Sequence, residues 1–421
     1  MKVFKFGGAS IETVERAKNI ASLIQDFANE KLIVVISAKG KTTNALEKIV
    51  NAYAKSDVVE AKKLFAELEN DHKQYAFDLL GFRSEPLEQK LNELCTEVEW
   101  VLGENYDKPF DYYYDQIVSV GELLSTSIIA AYLNQIGIST SWIDVRDIMK
   151  TDDVYRDAGI QWEKTEKLAK DAFNKEFATK NIVVTQGYIG STDDNATATL
   201  GREGSDYSAA VFANIMDAES ATIWKDVPSL LNADPKIFPN TIAIEEITFH
   251  EVIEMAYYGA QVIHPKTIKP LQNKNIPLYV KCFLDKNLKG TLIHNSTKPI
   301  QYPPIMVLKM NQILLQVNTR DYSFMTEDNL SKVYELFHDC KIKINLIQNA
   351  AISFVACVDS NLDRLEDLLK VLEKDYDVKR NENLYLFTVR HYTQEVLDQE
   401  LKNRTILLEQ KTRHTIQMVV Q

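Results

Sequence analysis

Lys5 lies at the end of a β-favouring run, one residue before two glycines, in Lys5-Phe6-Gly7-Gly8-Ala9-Ser10. An ammonium, exposed backbone N–H groups and a following helix N-terminus together suit phosphate oxygens. An ordinary βα turn looks much the same. Lys39-Gly40-Lys41-Thr42 invites a P-loop reading, but Val35 stands where that motif needs its first glycine, and no GxGxxG occurs. Ser37 and Thr43 bracket this second glycine turn with hydroxyls that suit a substrate or a helix cap. Glu122, in Ser119-Val120-Gly121-Glu122, opens an apolar helical pattern. A first-turn carboxylate is favoured by the helix dipole, and it gains chemical interest only as the partner of an ammonium.

The most informative stretch is Thr199-Leu200-Gly201-Arg202-Glu203-Gly204-Ser205-Asp206-Tyr207-Ser208. Arginine flanked by glycines suits bidentate carboxylate binding. Asp206 can orient a lysine, and Ser205 is a candidate N-cap. Trp224-Lys225-Asp226-Val227-Pro228 and Asn232-Ala233-Asp234-Pro235-Lys236 are polar turns of the kind that hold nucleotides at the carboxyl ends of parallel strands. His264, before Pro265, reads first as structural and only second as a base.

Alternating strands and helices must position these groups. Strands are predicted at Val3–Phe6, Leu32–Ile36, Ile182–Thr185, Thr222–Trp224 and Pro277–Cys282. Helices are predicted from about Thr43 and over 58–80, 121–135, 163–178, 205–216 and 248–258, with Ser10 as the cap of the first one. This alternation implies an α/β sandwich with a largely parallel sheet. A linker rich in Ser, Thr and Pro covers 296–304, and beyond it a βαββαβ-like rhythm implies a small α+β module followed by an abbreviated relative.

The chain has 421 residues and a net charge of −12. A strongly acidic chain is a poor nucleic-acid binder, and anionic substrates would need a local positive field built from particular side chains. Cys95, Cys282, Cys340 and Cys357 form no CxxC pair, which disfavours a zinc or disulfide framework. With no signal-peptide pattern and no run of eighteen apolar residues, the expectation is a cytoplasmic protein without membrane partners.

Taken in order, KFGGAS, VVISAKGKTTNAL, SVGE, LGREGSDYSAA, WKDVPSLLNADPK and YYGAQVIHP resemble the aspartate kinases of the amino-acid kinase family. The region after 304, notably LLQVNTRDYSFM, resembles their regulatory ACT modules. The resemblance implies a catalytic domain over 1–298, with an N-terminal aspartate-binding part and a C-terminal nucleotide-binding part, and a tandem ACT-like region over 305–421. It implies transfer of the γ-phosphoryl group of ATP to the β-carboxylate of L-aspartate, the first step toward lysine, threonine and methionine. Lys5 would contact the transferring group and Asp206 would hold Lys5. Arg202 would clamp the α-carboxylate and Glu122 the ammonium, with Ser37, Thr43 and Ser205 completing the pocket. Gly7, Gly8, Ser10, Lys225, Asp226, Leu231, Lys236 and Gln261 would serve the nucleotide, with Mg²⁺ carried mainly by the phosphates. Glutamate or acetylglutamate kinases and a non-catalytic amino-acid sensor are the competing readings.

Three side chains depart from the family pattern. Glu203 replaces a glycine and is expected to point outward, Gln261 replaces a lysine, and Leu231 an aromatic residue. The second ACT-like unit also ends without a closing helix. One sheet face, with Leu384, Leu386, Ile406, Leu408, Ile416 and Met418, is therefore expected to be uncovered and to join a homodimer. An L-lysine or L-threonine effector is expected near Ser323, Met325, Asp328, Asn345, Gln348 and Asn349.

Overall fold

Short runs of β-branched and aromatic residues build the central sheet, and amphipathic helices return the chain between them. β1 (Lys2–Phe6) leads through α1 (Val14–Gln25) to β2 (Leu32–Ile36). Five helices follow: α2 (Thr42–Ala54), α3 (Val58–Leu80), α4 (Glu85–Val101), α5 (Phe110–Val118) and α6 (Val120–Gln135). Next come β3 (Thr140–Ile143), α7 (Val145–Ile148), α8 (Trp162–Glu176) and β4 (Ile182–Gln186). A hairpin of β5 (Ile189–Ser191) and β6 (Thr197–Thr199) precedes α9 (Gly204–Ile215) and β7 (Ser220–Lys225). Then follow β8 (Leu230–Leu231), β9 (Ala243–Ile244), β10 (Glu246–Thr248), α10 (Phe249–Tyr258), α11 (Pro265–Asn273), β11 (Leu278–Cys282) and β12 (Thr291–His294). This computed structural model describes residues 1–260, 262–402 and 404–421.

The sheet order is β10-β12-β11-β7-β1-β2-β4-β3. From β3 to β11 every neighbouring pair is parallel, and β12 runs antiparallel to β11. β1 therefore has β2 on one side and β7 on the other, which places a crevice outside the carboxyl ends at this switch point. Every side chain of β2 is fully buried, worth about 1.5–3 kcal/mol for each large apolar one. α3 shows how the helices are set. Asp57 caps its start by accepting from the Glu60 N–H at 3.1 Å, Ala61, Phe65, Leu68 and Leu79 face inward, and Gly81 ends it at φ 79°. The first helix is capped by Thr13, not Ser10, whose hydroxyl instead donates to the Gly7 carbonyl inside a 3₁₀ turn.

Phe110–Gln135, spanning α5 and α6, is by length and mean hydropathy the one segment among the described residues that could cross a membrane, but it holds no unbroken run of eighteen apolar residues and 83% of its most apolar window lies buried inside the fold. α6 is buried on nearly all sides, the mark of a core helix.

Two compact units emerge. One comprises Met1–Leu230, Glu245–Ile253 and Ile263–Ile300; the other comprises Leu231–Ile244, Glu254–Val262 and Gln301–Gln421. In the second unit, β13 (Ile305–Thr319), α12 (Glu327–Asp339), β14 (Ile344–Asn349), β15 (Ser353–Asp359), α13 (Leu362–Asp375), β16 (Tyr376–Arg390), α14 (Gln394–Glu400), β17 (Ile406–Lys411) and β18 (Thr415–Val420) follow in order. They form one antiparallel sheet, β14-β15-β13-β16-β18-β17. β13 and β16 run its full length and are bent at Asn311 and Asn383, where φ is 56° and 58° and the register shifts. Phe238, from the early segment Leu231–Ile244, stacks on Phe387 of β16 at 6.0 Å.

The expected uncovered face is closed by the chain itself. Leu384, Leu386 and Leu408 join Leu314, Leu346, Cys357 and Val419 in one buried cluster fed by all six strands. Ile416 and Met418 face the other way, into a core with Phe387, Val389 and Leu397. Only Ile406 of the six is exposed. Side chains from all six strands thus cover one another on that face.

Candidate active site

Five strand ends, those of β1, β2, β4, β7 and β11, meet at the carboxyl edge of the large sheet. The Ser37 N–H donates to the Phe6 carbonyl, the Gly187 N–H to Ile36, and the Phe283 N–H to Lys225. Gly8 lets the first two turns touch. A Cβ there would lie 2.4 Å from the Ala38 carbonyl oxygen, and the Gly40 N–H already donates to the Gly8 carbonyl at 3.0 Å.

A cleft of about 440 Å³ opens on this edge. Lys5, Ser37, Thr43, Glu122, Arg202, Ser205 and Asp206 all line it. Lys5 Nζ lies 2.7 Å from Asp206 Oδ1, with both side chains largely shielded from solvent. Low effective dielectric strengthens such a pair and fixes the ammonium's position. Asp206 and Ser205 occupy the buried first turn of α9, so Ser205 is not its cap. Gly187 packs against that serine: a Cβ would fall 2.6 Å from Ser205 Cα.

Glu122 is 3% exposed. Its Oε1 accepts from the Ala38 N–H at 3.3 Å, while Oε2 has no partner. Burial pushes its pKa up to about 8, against the opposing pull of the Ala38 N–H and of Lys5. A buried carboxyl oxygen without a partner is costly, and a cation brought beside it would both satisfy it and favour its ionised form. Across the cleft, Arg202 is exposed and makes no hydrogen bond or ion pair among the described residues.

Sequence reasoning missed three lining residues, Tyr114, Arg156 and Tyr188, and Glu203, expected to point outward, lines the cleft as well. Arg156, Tyr188 and Glu203 hold left-handed backbone, with φ of 69°, 73° and 55°. That conformation costs a residue with a Cβ about 1–2 kcal/mol. Glu203 does not point outward; its Oε2 accepts from the His264 N–H at 2.8 Å. His264 is structural, because its Nδ1 accepts from the Lys266 N–H and caps α11.

Gly7 precedes the 3₁₀ turn that holds Ser10, and Lys225 ends β7 on the same sheet edge with Asp226 just beyond it. Leu231, in β8, and the exposed Lys236 belong to the second unit, and Gln261 lies outside the described residues. Within the second unit, Met325 is buried in the helix-covered core. Its N–H donates to Ala351, which brings Ser323 and Asp328 close to the end of β14. Gln348 and Asn349 line a 290 Å³ groove with Glu409 and Gln410. Asn345 instead sits in a network with Lys309, Gln312 and Asp359. Among the described residues no His, Cys, Asp and Glu cluster has a metal-binding arrangement.

Residues 1–282 match the amino acid kinase family. Aspartokinase 2, chloroplastic, of Arabidopsis thaliana is 32% identical over 402 residues, covering 90% of this chain and 71% of the plant protein. The structure of E. coli aspartokinase III in complex with aspartate and ADP, in the R-state, aligns with a TM-score of 0.80 at 26% identity. It covers 100% of this chain and 96% of that one. The same enzyme with lysine and aspartate, in the T-state, aligns over 100% of this chain and 95% of that one, with a TM-score of 0.75 at 26% identity. With this sheet, this cleft and these relatives, the chain belongs to the amino acid kinase family and, within it, to the aspartokinases.

Proposed function

We propose that the cleft binds L-aspartate beside Mg-ATP and moves the γ-phosphoryl group onto the β-carboxylate. The carrying observation is the pairing of an uncommitted guanidinium, Arg202, with the buried and half-satisfied carboxyl of Glu122 in one cleft. Such a pair reads the α-carboxylate and the ammonium of an amino acid, leaving the side chain to react. The β-carboxylate is ionised at neutral pH and needs no base. Its oxygen bonds to the γ-phosphorus as the bond to the β,γ-bridging oxygen breaks, giving 4-phospho-L-aspartate and ADP. Lys5, fixed by Asp206, neutralises charge on the transferring group, and the turn of Gly7, Gly8 and Ser10 offers backbone N–H groups. Lys225, Asp226, Leu231, Lys236 and Gln261 are assigned to the nucleotide, and magnesium arrives with the ATP phosphates.

ADP release measured with L-aspartate, L-glutamate and no acceptor tests this reading. Turnover with aspartate should far exceed that with glutamate, because an added methylene moves the attacking oxygen out of line. Equal rates would favour a sister kinase, and no turnover a sensor. We further assign the product to lysine, threonine and methionine synthesis, and an amino-acid effector to the segments Ser323–Asp328 and Asn345–Asn349. The lysine complex of the E. coli relative supports lysine over threonine, and the same assay with each amino acid added decides between them. A homodimer through 305–421 would rest on the outer strands β14 and β17, not on an apolar face. Light scattering of the full chain reads the copy number.

A further inference from the structure

Left-handed backbone at a residue other than glycine, asparagine or aspartate needs a reason, and three such residues line the aspartate cleft. Two have local ones. The Tyr188 N–H donates to Ser208 Oγ at 3.1 Å, and its carbonyl accepts from the Leu200 N–H. Glu203 ties its loop to the start of α11. Arg156 differs. What holds its backbone is Asp115, whose buried Oδ2 accepts the Arg156 N–H at 2.9 Å and also takes the Thr199 N–H at 2.8 Å. A glycine would satisfy that contact without strain, so the contact does not explain an arginine.

The side chain does. Its guanidinium lies over the Tyr114 ring, 4.5 Å from the centroid, and one Nη donates to Asp111 at 3.0 Å. The stacking and the ion pair fix the plane of the fork and leave its other donors unused among the described residues. Arg156 is also next to the arginine already assigned: a Cβ on Gly201 would lie 3.1 Å from the Arg156 carbonyl oxygen. We infer that Arg156 is a second guanidinium for the substrate's α-carboxylate, sharing it with Arg202 and setting specificity for a free amino acid. This rests on the reading of the cleft as the acceptor site.

Arg156→Gly is the decisive variant, because glycine accepts φ 69° and the fold is not put at risk. Relative to the wild type, KM for L-aspartate should rise about tenfold, as expected for a lost charge-assisted hydrogen bond. The kcat and the KM for ATP should stay within about twofold, and the melting temperature should not fall. Arg156→Lys should recover part of the loss. A purely structural arginine would lower the melting temperature and leave the aspartate KM in place, and that result overturns the inference while the acceptor assignment stands. A wild type inactive with aspartate overturns both.

Discussion

Glu122 is the residue whose charge state most directly couples this cleft to pH. Burial pushes its pKa up to about 8, so below that value less of the free enzyme carries the anion an ammonium needs. The kcat/KM for aspartate should therefore climb with pH and level above about 8. Glu122→Gln should remove that bend and lower the plateau on the order of a hundredfold or more. Stability moves the other way. The folded pKa lies above the ordinary value of 4.5, so the group's contribution is intact below 4.5 and is lost as pH rises through about 8. Without substrate, the Glu122→Gln variant should melt above the wild type at pH 8.5 and level with it near pH 4.5. At this scale the sequence was partly legible. Arg202, Asp206 and Lys5 stand out because each is a charged residue within two positions of a glycine, and because their segments recur in the order of a known family. Arg156 and Tyr188 do not, since neither side chain signals a positive φ. They reach the cleft through backbone turns that only the fold specifies.

The helices and strands of the catalytic unit were legible where periodicity was long and clean. α3 falls on 58–80 as expected, and β2 on Leu32–Ile36. α4, α5 and β3 were not anticipated. α4 and α5 carry mixed polar faces, and β3 is only four residues long. What the sequence hints at least is contact between turns. Gly8 looks like a flexible residue, yet the structure makes it a spacing requirement between the first and second turns. In Gly8→Ala the new methyl would push against the Ala38 carbonyl, a backbone atom that cannot swing aside. The variant should lose about 1–3 kcal/mol in urea unfolding. Its kcat should fall further than its affinity for aspartate, because Lys5 and the first turn would shift away from the transferring group.

Across the whole molecule, the main surprise lies in the second unit. Apolar alternation in β16, β17 and β18 was readable, but which atoms cover it was not, because the cover comes from strands far apart in sequence and the register shifts at Asn311 and Asn383 have no sequence period. Leu386, 2% exposed, separates the two descriptions. Leu386→Ala should destabilise the protein by about 2–5 kcal/mol if that face is a closed core, whereas an exposed residue would change stability by less than ~0.5 kcal/mol. Chemical denaturation of the two proteins measures the difference. The path of the chain between units has a further effect, during synthesis. Leu231–Ile244 leaves the ribosome early, but Asn232 bonds to Pro304 and Met306, and Phe238 stacks on Phe387. Roughly 150 residues separate Phe238 from that ring, a wait on the order of ten seconds at ~5–20 residues per second. Nascent chains stalled just before residue 301 should be cut by protease within 231–244, where finished chains resist. Until then Ala233 and Phe238 lack the core that buries them, and a holding chaperone would have those two side chains to cover.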